Sequence, residues 1–317
     1  GTDALLISLM ACGLKEGDEV ITTPFTFIST VEVILSLNAV PVLIDIDSQT
    51  FNLDVSKIEK AITKKTKIII PVSLFGQTSN LKEINKIKKK YKNIKIIEDN
   101  AQSLMAKHHD NYSHKYSDIS CTSFFPTKIF GCYGDGGAIL LNNKKLATKI
   151  RKISNHGSSN KKNYSLIGVS GRMDTIQSAI LLTKLKYLKT EISQRIKIAN
   201  IYDNFFDKIN KDLKKNLILK PTVLDINKCV YSQYTIKTKF RNQLKKFLLT
   251  KKISTIIYYE KLVTDGYYYK KKCIYKNINQ AKKIKKQVLS LPINGYQTIQ
   301  ETNHICNQIS LFFKKIN

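Results

Sequence analysis

The sequence predicts an α/β protein in which a large, mostly parallel sheet domain precedes a smaller α+β domain. Short apolar runs alternate with amphipathic stretches through the first half of the chain, which is typical of parallel strands joined by helices. A long helical pattern from Met173 to about Ile209 then leads away from this region. Beyond it the alternation is lost. We therefore predict a large domain over residues 1–190 and a small domain over residues 191–317.

The elements of the large domain follow from apolar runs and the residues that flank them. Gly1-Thr2-Asp3 precedes an apolar helix that Thr2 or Asp3 is suited to cap. Strands are predicted at 19–24, 40–45, 67–72, 94–97, 118–125 and 138–141, and helices at 31–37, 54–62, 81–91 and 144–154. This alternation of strands and helices predicts the parallel sheet.

The small domain mixes strand and helix patterns. Residues 230–237 alternate like a strand, 243–249 have a helical pattern, and 255–259 resemble a strand. The last forty residues are mostly helical in pattern. These features predict an α+β unit.

The net charge of +29 does not by itself indicate a nucleic-acid partner. Only four of the 53 basic residues are Arg, whereas base and phosphate recognition favours Arg. Lys, Ile and Asn have AT-rich codons, so compositional drift of the genome explains the excess of Lys. Nonspecific attraction to phosphates remains a physical consequence of the charge. We predict no specific nucleic-acid partner.

The cysteines and the apolar runs bear on the compartment. None of the six cysteines forms a C-x-x-C pair and several lie in apolar runs, so we expect buried free thiols in a reducing cytoplasm. No apolar run approaches the length of a membrane span. The chain begins with Gly1 inside a helix start, and we expect a further N-terminal portion before it.

Lys128 stands between a short apolar run and a glycine-rich turn. Its neighbours are Phe, Pro, Ile and Phe, and a lysine desolvated by such residues has a lowered pKa. Its neutral amine can then form a Schiff base with an aldehyde. The alternative is a lysine whose stem is buried at a strand end while its amine stays in solvent. This stretch alone does not decide between the two.

Several other motifs do not indicate a site. His108-His109-Asp110 with His114 lies in a polar stretch between two strands, which favours a solvated hairpin loop over a metal site. The glycines from Gly131 to Gly137 fit neither the dinucleotide motif nor the P-loop, and there is no G-x-S-x-G elbow. We predict no metal.

A set of residues at strand ends and helix starts suits one ligand. Asp99 follows a buried strand, where ligands bind in parallel sheets, although an acid there can also be a turn residue. The set comprises Gly1, Thr2, Phe27, Asp99, Gln102, Ser123 and Lys128. Pyridoxal phosphate (PLP) needs a lysine for its aldehyde, a carboxylate for its pyridine nitrogen, and hydroxyls and N–H groups for its phosphate.

The same stretches resemble a known family. Gly-Thr-Asp-Ala-Leu, Glu-Asp-Asn-Ala-Gln, Ser-Phe-Phe-Pro-Thr-Lys and Gly-Asp-Gly-Gly-Ala are similar, in this order, to motifs of the DegT/DnrJ/EryC1/StrS family. Asp-Glu-Val-Ile-Thr-Thr-Pro-Phe-Thr-Phe and Pro-Val-Leu-Ile-Asp-Ile-Asp fit it as well. These are PLP-dependent aminotransferases of nucleotide sugars with the type I, aspartate aminotransferase-like fold. The match is strong to about residue 185 and continues more weakly to the C-terminus.

The resemblance implies a role for each matching residue. Lys128 matches the Schiff-base lysine and Asp99 the acid on the pyridine nitrogen. Gln102 matches the residue near the ring hydroxyl, Phe27 the aromatic on the ring, and Gly1, Thr2 and Ser123 the phosphate cradle. The implied enzyme is a cytoplasmic homodimer with shared active sites that moves the amino group of glutamate to a keto-sugar nucleotide for surface polysaccharide synthesis. The run Val230–Ile236 resembles the branch that acts on UDP-linked 3-keto-sugars.

Three departures from the family pattern leave an alternative open, and one of them is the segment that the family carries before Gly1. Ser170 stands where the family has an Asn that reaches the phosphate of the neighbouring subunit's PLP. The family's His-Tyr-Pro is replaced by Tyr258-Tyr259-Glu260. The alternative is a PLP-binding member that is catalytically inactive or regulatory. Sugar dehydratases of the same fold carry histidine in place of the lysine, so Lys128 argues against that function.

Overall fold

The computed structural model describes residues 1–160 and 162–316. Its α-helices are α1 (Thr2–Ala11), α2 (Ser29–Leu35), α3 (Ile58–Ala61), α4 (Leu81–Lys90), α5 (Lys144–Ile153), α6 (Thr175–Leu185), α7 (Leu188–Asp212), α8 (Arg241–Thr250), α9 (Tyr267–Lys272), α10 (Asn279–Ile284) and α11 (Ile299–Ile316). Its strands are β1 (Glu19–Thr22), β2 (Val40–Leu43), β3 (Thr66–Ile69), β4 (Lys95–Asp99), β5 (Lys107–His108), β6 (Asn111–Tyr112), β7 (Ile119–Ser123), β8 (Gly137–Leu140), β9 (Asn227–Lys228), β10 (Tyr234–Lys237), β11 (Ile274–Tyr275) and β12 (Val288–Leu291).

A seven-stranded sheet organises the first half of the chain. Its strand order is β11-β2-β1-β3-β4-β7-β8, and every neighbouring pair is parallel except β7 with β8. Because successive strands run the same way, their carboxyl ends meet at one edge. The predicted α/β class with a mostly parallel sheet is confirmed.

Apolar side chains cover both faces of this sheet. Along β4, Ile97 packs into a cluster with α1, α2 and α5, while Ile96 packs on the opposite face with α3 and α4. Consecutive strand residues point to opposite faces, so a continuous Ile-Ile run is required where both faces are covered. The sheet therefore lies between two layers of helices.

A second core lies in the C-terminal half. The antiparallel pair β10–β12 packs with α7, α8 and α11 around fully buried Tyr202, Phe206, Tyr234 and Phe313. The helical pattern of Met173 to Ile209 corresponds to α6 and α7, which are separated at Lys186 and Tyr187. The predicted domain boundary at residue 190 stays a prediction. Strand β11 lies beyond that boundary in the sequence, yet it pairs with β2 of the large sheet.

Two local predictions are wrong. Residues 255–259 form no strand, and only Ile256 makes an isolated bridge, to Ser290. The apolar residues there belong to a loop and pack against the cluster around Phe25, and they do not form one face of a strand. His108 lies in a hairpin, β5–β6, as predicted, but it is fully buried rather than solvated.

The His108 ring is satisfied by neighbours within the chain. Its Nδ1 lies 2.7 Å from Asn227 Oδ1, and its Nε2 accepts the backbone N–H of Lys82 at 3.2 Å. Burial lowers the pKa of His108, which keeps the ring neutral. In the part of the chain that the structure describes, no group of three or more His, Cys, Asp or Glu side chains could hold a metal ion.

No helix within residues 1–160 and 162–316 is long and apolar enough to cross a bilayer. All six cysteines are free thiols, and all of them except Cys12 are buried, as their sequence context predicts.

Candidate active site

A cavity of about 540 Å³ opens at the carboxyl ends of β4 and β7. Seven of the eight residues that the sequence predicts for the site line it: Gly1, Thr2, Phe27, Asp99, Gln102, Ser123 and Lys128. Asp99 and Ser123 are the last residues of their strands. The topology thus brings together groups that are far apart in the sequence.

Asp99 is a fixed, buried carboxylate on the cavity wall. Thr30 Oγ1 donates to its Oδ2 at 2.8 Å, and the backbone N–H of Ala101 donates to its Oδ1 at 3.2 Å. The Thr30 hydroxyl is in turn hydrogen-bonded to the Thr26 hydroxyl, with the two oxygens 2.9 Å apart. These contacts orient the carboxylate without adding a positive charge, so its charge remains available to a cation in the cavity.

Lys128 lies in the turn after β7, where its backbone N–H donates to Phe125 O at 2.9 Å. Burial lowers the pKa of Lys128, and the Asp99 carboxylate opposes that decrease without reversing it. Desolvation disfavours the charged ammonium more than the carboxylate favours it. A larger fraction of the amine is therefore neutral, and nucleophilic, than for a lysine in water.

The start of α1 packs closely against the end of β7 beside these residues. A Cβ on Gly1 would stand 2.7 Å from Ser123 Cβ, so only glycine allows this approach. Thr2 is exposed at the first turn of the helix, whose leading N–H groups have no partner within the helix. Ser123 Oγ accepts the Phe125 N–H at 3.3 Å, which leaves its own proton to donate. Such helix starts bind phosphate.

Phe27 lies in the loop before α2 and is 58% exposed. An exposed aromatic ring is unremarkable alone, but this ring is part of the cavity wall that also contains Asp99 and Lys128. A planar ligand in the cavity can cover its face.

Gln102 and Tyr259 complete the wall with a short hydrogen bond. Gln102 Nε2 donates to Tyr259 Oη at 2.7 Å, and Gln102 Oε1 accepts the Phe75 N–H at 3.0 Å. Burial, assisted by the Asp99 carboxylate, raises the pKa of Tyr259, so its hydroxyl is protonated at neutral pH. Tyr258 lines the cavity beside it.

Ser170 lies outside this cavity. It is exposed, and its Oγ accepts from Arg172 Nη2 at 3.1 Å. The resemblance gives it a role at the neighbouring subunit's cofactor, and that role stays a prediction.

The donor set fits PLP. The cavity offers a desolvated amine, an oriented carboxylate, an exposed aromatic ring face and a helix start. At that helix start, the absence of a side chain on Gly1 leaves Ser123 accessible. These are the groups needed for the aldehyde, the pyridine nitrogen, the ring face and the phosphate.

The polar residues that the sequence did not predict include Thr26, Asp135 and Tyr259 on the cavity wall, and Thr30, which donates to Asp99 from behind it. Thr26 and Thr30 stand four residues apart at the entry to a helix, which is their only local pattern. Tyr259 reaches Gln102 across 157 positions of sequence. A contact over that distance has no local pattern from which it can be predicted.

A lysine and a carboxylate that line one cavity at the carboxyl edge of a parallel sheet are the pair of groups that a PLP enzyme uses. The family model described as the DegT/DnrJ/EryC1/StrS aminotransferase family matches residues 1–310. The chain belongs to this family, and it is an aminotransferase with the predicted fold.

Two relatives match most of the chain. A UDP-2-acetamido-2-deoxy-3-oxo-D-glucuronate aminotransferase from Pseudomonas aeruginosa is 45% identical over 259 residues, which are 82% of this chain and 70% of the relative. A pleiotropic regulatory protein from Geobacillus stearothermophilus is 37% identical over 99% of this chain and 83% of its own length.

A solved structure gives the same fold. The Bacillus subtilis protein NtdA, solved with bound cofactor PMP, superposes with a TM-score of 0.88 at 32% identity. The match covers 98% of this chain and 71% of NtdA.

Proposed function

We propose that this chain is a PLP-dependent aminotransferase that moves the amino group of glutamate to a keto-sugar nucleotide. The observation that carries the proposal is the pairing, in one cavity, of the desolvated Lys128 amine with the oriented Asp99 carboxylate. The Pseudomonas aeruginosa relative acts on a UDP-linked 3-oxo-sugar, and a cofactor of the same class is bound in NtdA. Both support the sequence-based prediction.

Each wall of the cavity has an assigned partner on PLP. Gly1, Thr2 and Ser123 would bind the phosphate, and Phe27 would pack against the ring. Asp99 would hold a proton on the ring nitrogen, and Gln102 would donate to the ring oxygen. When bound, PLP supplies an aldehyde that captures amines and a ring that accepts an electron pair.

Lys128 is assigned the proton transfers. Because burial lowers its pKa, its amine can accept a proton from the substrate carbon at neutral pH and return it to another position. Asp99 opposes this decrease in pKa, which keeps the lysine able to act as an acid after it has acted as a base. One side chain can thus serve both half-reactions.

The substrate assigned to the site is a UDP-linked 3-keto-sugar. Gln233 and Tyr258, from the C-terminal half of the chain, also line the cavity. Tyr258 stands where the family has histidine, and it presents a phenol to the sugar. We place the enzyme in the cytoplasm, in the synthesis of surface polysaccharide.

A homodimer with shared active sites is part of the proposal. Exposed apolar side chains on and beside α6 support it: Ile176 is 68% exposed, Leu182 67% and Tyr187 60%. Ser170 is also exposed and lies shortly before α6 in the chain, so it is accessible to a second subunit. Exposed large apolar side chains that lie close together in the chain are often found at subunit contacts.

A PLP-binding but inactive or regulatory protein is the second candidate. The regulatory name of the Geobacillus relative and the Ser170 and Tyr258 departures favour it. It predicts a coloured PLP complex that does not react with glutamate.

The deciding experiment follows both half-reactions. The protein is loaded with PLP, reacted with glutamate, and then given a UDP-linked 3-keto-sugar, while 2-oxoglutarate and the amino sugar are measured by mass spectrometry. We expect both products from the wild type and neither from Lys128→Ala. A coloured PLP complex that forms no 2-oxoglutarate would favour the inactive or regulatory protein. A wild-type protein that does not take up PLP would overturn both candidate functions.

A further inference from the structure

The side-chain amide of Gln102 has only one possible orientation. The Phe75 backbone N–H can only donate, so the Gln102 atom 3.0 Å from it must be the carbonyl Oε1. The NH₂ group therefore faces Tyr259 Oη, at 2.7 Å. Among the described residues, Gln102 Nε2 has no other hydrogen-bond partner, which leaves it one N–H for a ligand in the cavity.

Tyr259 is held firmly enough to fix that orientation. Its ring makes an edge contact with buried Phe25, at a centroid distance of 5.7 Å, and it packs in the same apolar cluster as Phe75. Tyr259 is contributed by the C-terminal half of the chain, whereas Phe25, Phe75 and Gln102 belong to the sheet half. The Tyr259 hydroxyl thus joins the two halves at the cavity wall.

The backbone that presents the Phe75 N–H is unusual. Phe75 has φ of +59°, in the left-handed region that a bulky residue rarely adopts. Such a conformation persists only where its surroundings impose it. The hydrogen bond to Gln102 Oε1 uses the N–H that this conformation orients.

We infer that Tyr259 is a positioning residue, which fixes the Gln102 amide so that it offers an N–H, and not an oxygen, to the ring oxygen of the cofactor. This inference rests on the proposed binding of PLP. Without the Tyr259 hydroxyl, the NH₂ group loses its partner and the amide is no longer held in one rotamer. The site then selects less well for a ligand oxygen that accepts a hydrogen bond.

The test is a double-mutant cycle on PLP affinity, measured by titrating each apo protein and following visible absorbance. The variants are Tyr259→Phe, Gln102→Ala and their combination. Tyr202→Phe is the matched control, because the Tyr202 hydroxyl is likewise bonded to a glutamine, Gln297, at 3.3 Å, but in the second core. Urea unfolding of each apo protein reports the structural cost separately.

Tyr259→Phe is expected to raise the PLP Kd about three- to tenfold, the range for one lost hydrogen bond, while Tyr202→Phe lowers only the urea midpoint. Adding Tyr259→Phe to Gln102→Ala is expected to change the Kd no further, because the hydroxyl acts through the amide. Additive effects, or an unchanged Kd in Tyr259→Phe, overturn the inference.

Gln102→Glu tests the same point from the other partner and does not alter Tyr259. The glutamate keeps an oxygen that accepts the Phe75 N–H, but it lacks the side-chain N–H that Gln102 offers to the cavity. We therefore expect the Kd for PLP to rise at least tenfold. An unchanged Kd in Gln102→Glu contradicts the inference. Failure of the wild type to bind PLP overturns the proposed function, and this inference with it, whereas normal binding with additive variants overturns this inference alone.

Discussion

Two opposing electrostatic effects act on the Lys128 amine. Burial disfavours its charged form, and the Asp99 carboxylate favours it. Burial is the larger effect, so the pKa of Lys128 is lowered even with a carboxylate in the same cavity. This balance allows one lysine to be neutral when it must be a nucleophile and to accept a proton afterwards.

The lowered pKa makes a prediction about stability. A group whose pKa is lower in the folded than in the unfolded state destabilises the fold wherever it is protonated when unfolded. We therefore expect apo Lys128→Met to be more stable to urea than the wild type at pH 7. The difference should shrink as the pH rises towards about 10.4, the ordinary lysine value. Exposed Lys60→Met is the control, and an equal gain in both variants would contradict the assignment.

A second residue-scale prediction concerns Asp99→Asn. The amide can accept from Thr30 or Ala101, so folding is retained, but the negative charge is lost. We expect the rate of 2-oxoglutarate formation from glutamate to fall by two orders of magnitude or more, from about 3–5 kcal/mol of lost charge pairing. Asp118→Asn, which breaks the 2.6 Å pair with Lys88 at the opposite end of β7, is the control and should react normally.

The sequence predicts the surroundings of a single side chain correctly where its neighbours in the sequence determine them. The apolar neighbours of Lys128 predict its desolvation, and the strand before Asp99 predicts its place at the carboxyl edge. Thr30 and Tyr259 were not predicted, because their contacts with Asp99 and Gln102 depend on how distant segments pack. The assigned roles of the eight site residues remain predictions.

Among the secondary-structure elements, the two halves of the chain come into close backbone contact at one glycine. Gly76 has φ of +94°, and a Cβ there would lie 2.5 Å from Tyr231 N and 2.7 Å from Ser232 N. Gly76 O also accepts the Val230 N–H at 2.9 Å. The loop after β3 and the segment before β10 are therefore in backbone contact close to Gln233.

Gly76→Ala tests this contact. Gly17 is the matched control, because its φ is +77° and nothing lies within 4 Å of its Cβ position. We expect Gly17→Ala to lower the free energy of unfolding by about 1–2 kcal/mol, the cost of a left-handed Ala. Gly76→Ala should cost about 1–3 kcal/mol more, from overpacking. Equal urea midpoint shifts in the two variants would show that the backbones do not press on each other.

Elements with long or continuous patterns were predicted best. The Ile-rich strands and the helices α4, α6, α7 and α8 lie close to where the sequence places them. The two-residue strand β11 was missed, since Ile274–Tyr275 is too short and too close to lysines to stand out. The predicted strand at 255–259 failed because its apolar residues cover the cavity wall and the Phe25 cluster.

At the scale of the whole molecule, the exposed apolar face of α6 predicts a dimer. Leu182 is 67% exposed there, and Leu249 on α8 is 69% exposed, which makes the two leucines a matched pair. We expect Leu182→Glu to be monomeric by analytical ultracentrifugation and to bind PLP at least tenfold more weakly, because the sites are proposed to be shared. Leu249→Glu should remain dimeric with normal affinity. A dimeric Leu182→Glu would place the contact elsewhere.

We propose that amino transfer occurs in the cavity lined by Lys128 and Asp99. The most direct measurement is the visible spectrum of the PLP-loaded protein before and after glutamate, with 2-oxoglutarate counted per protein chain. The wild type should lose its band and release about one equivalent, and Lys128→Ala should do neither. A wild-type spectrum that glutamate leaves unchanged, or a Lys128→Ala protein that reacts like the wild type, would contradict the claim.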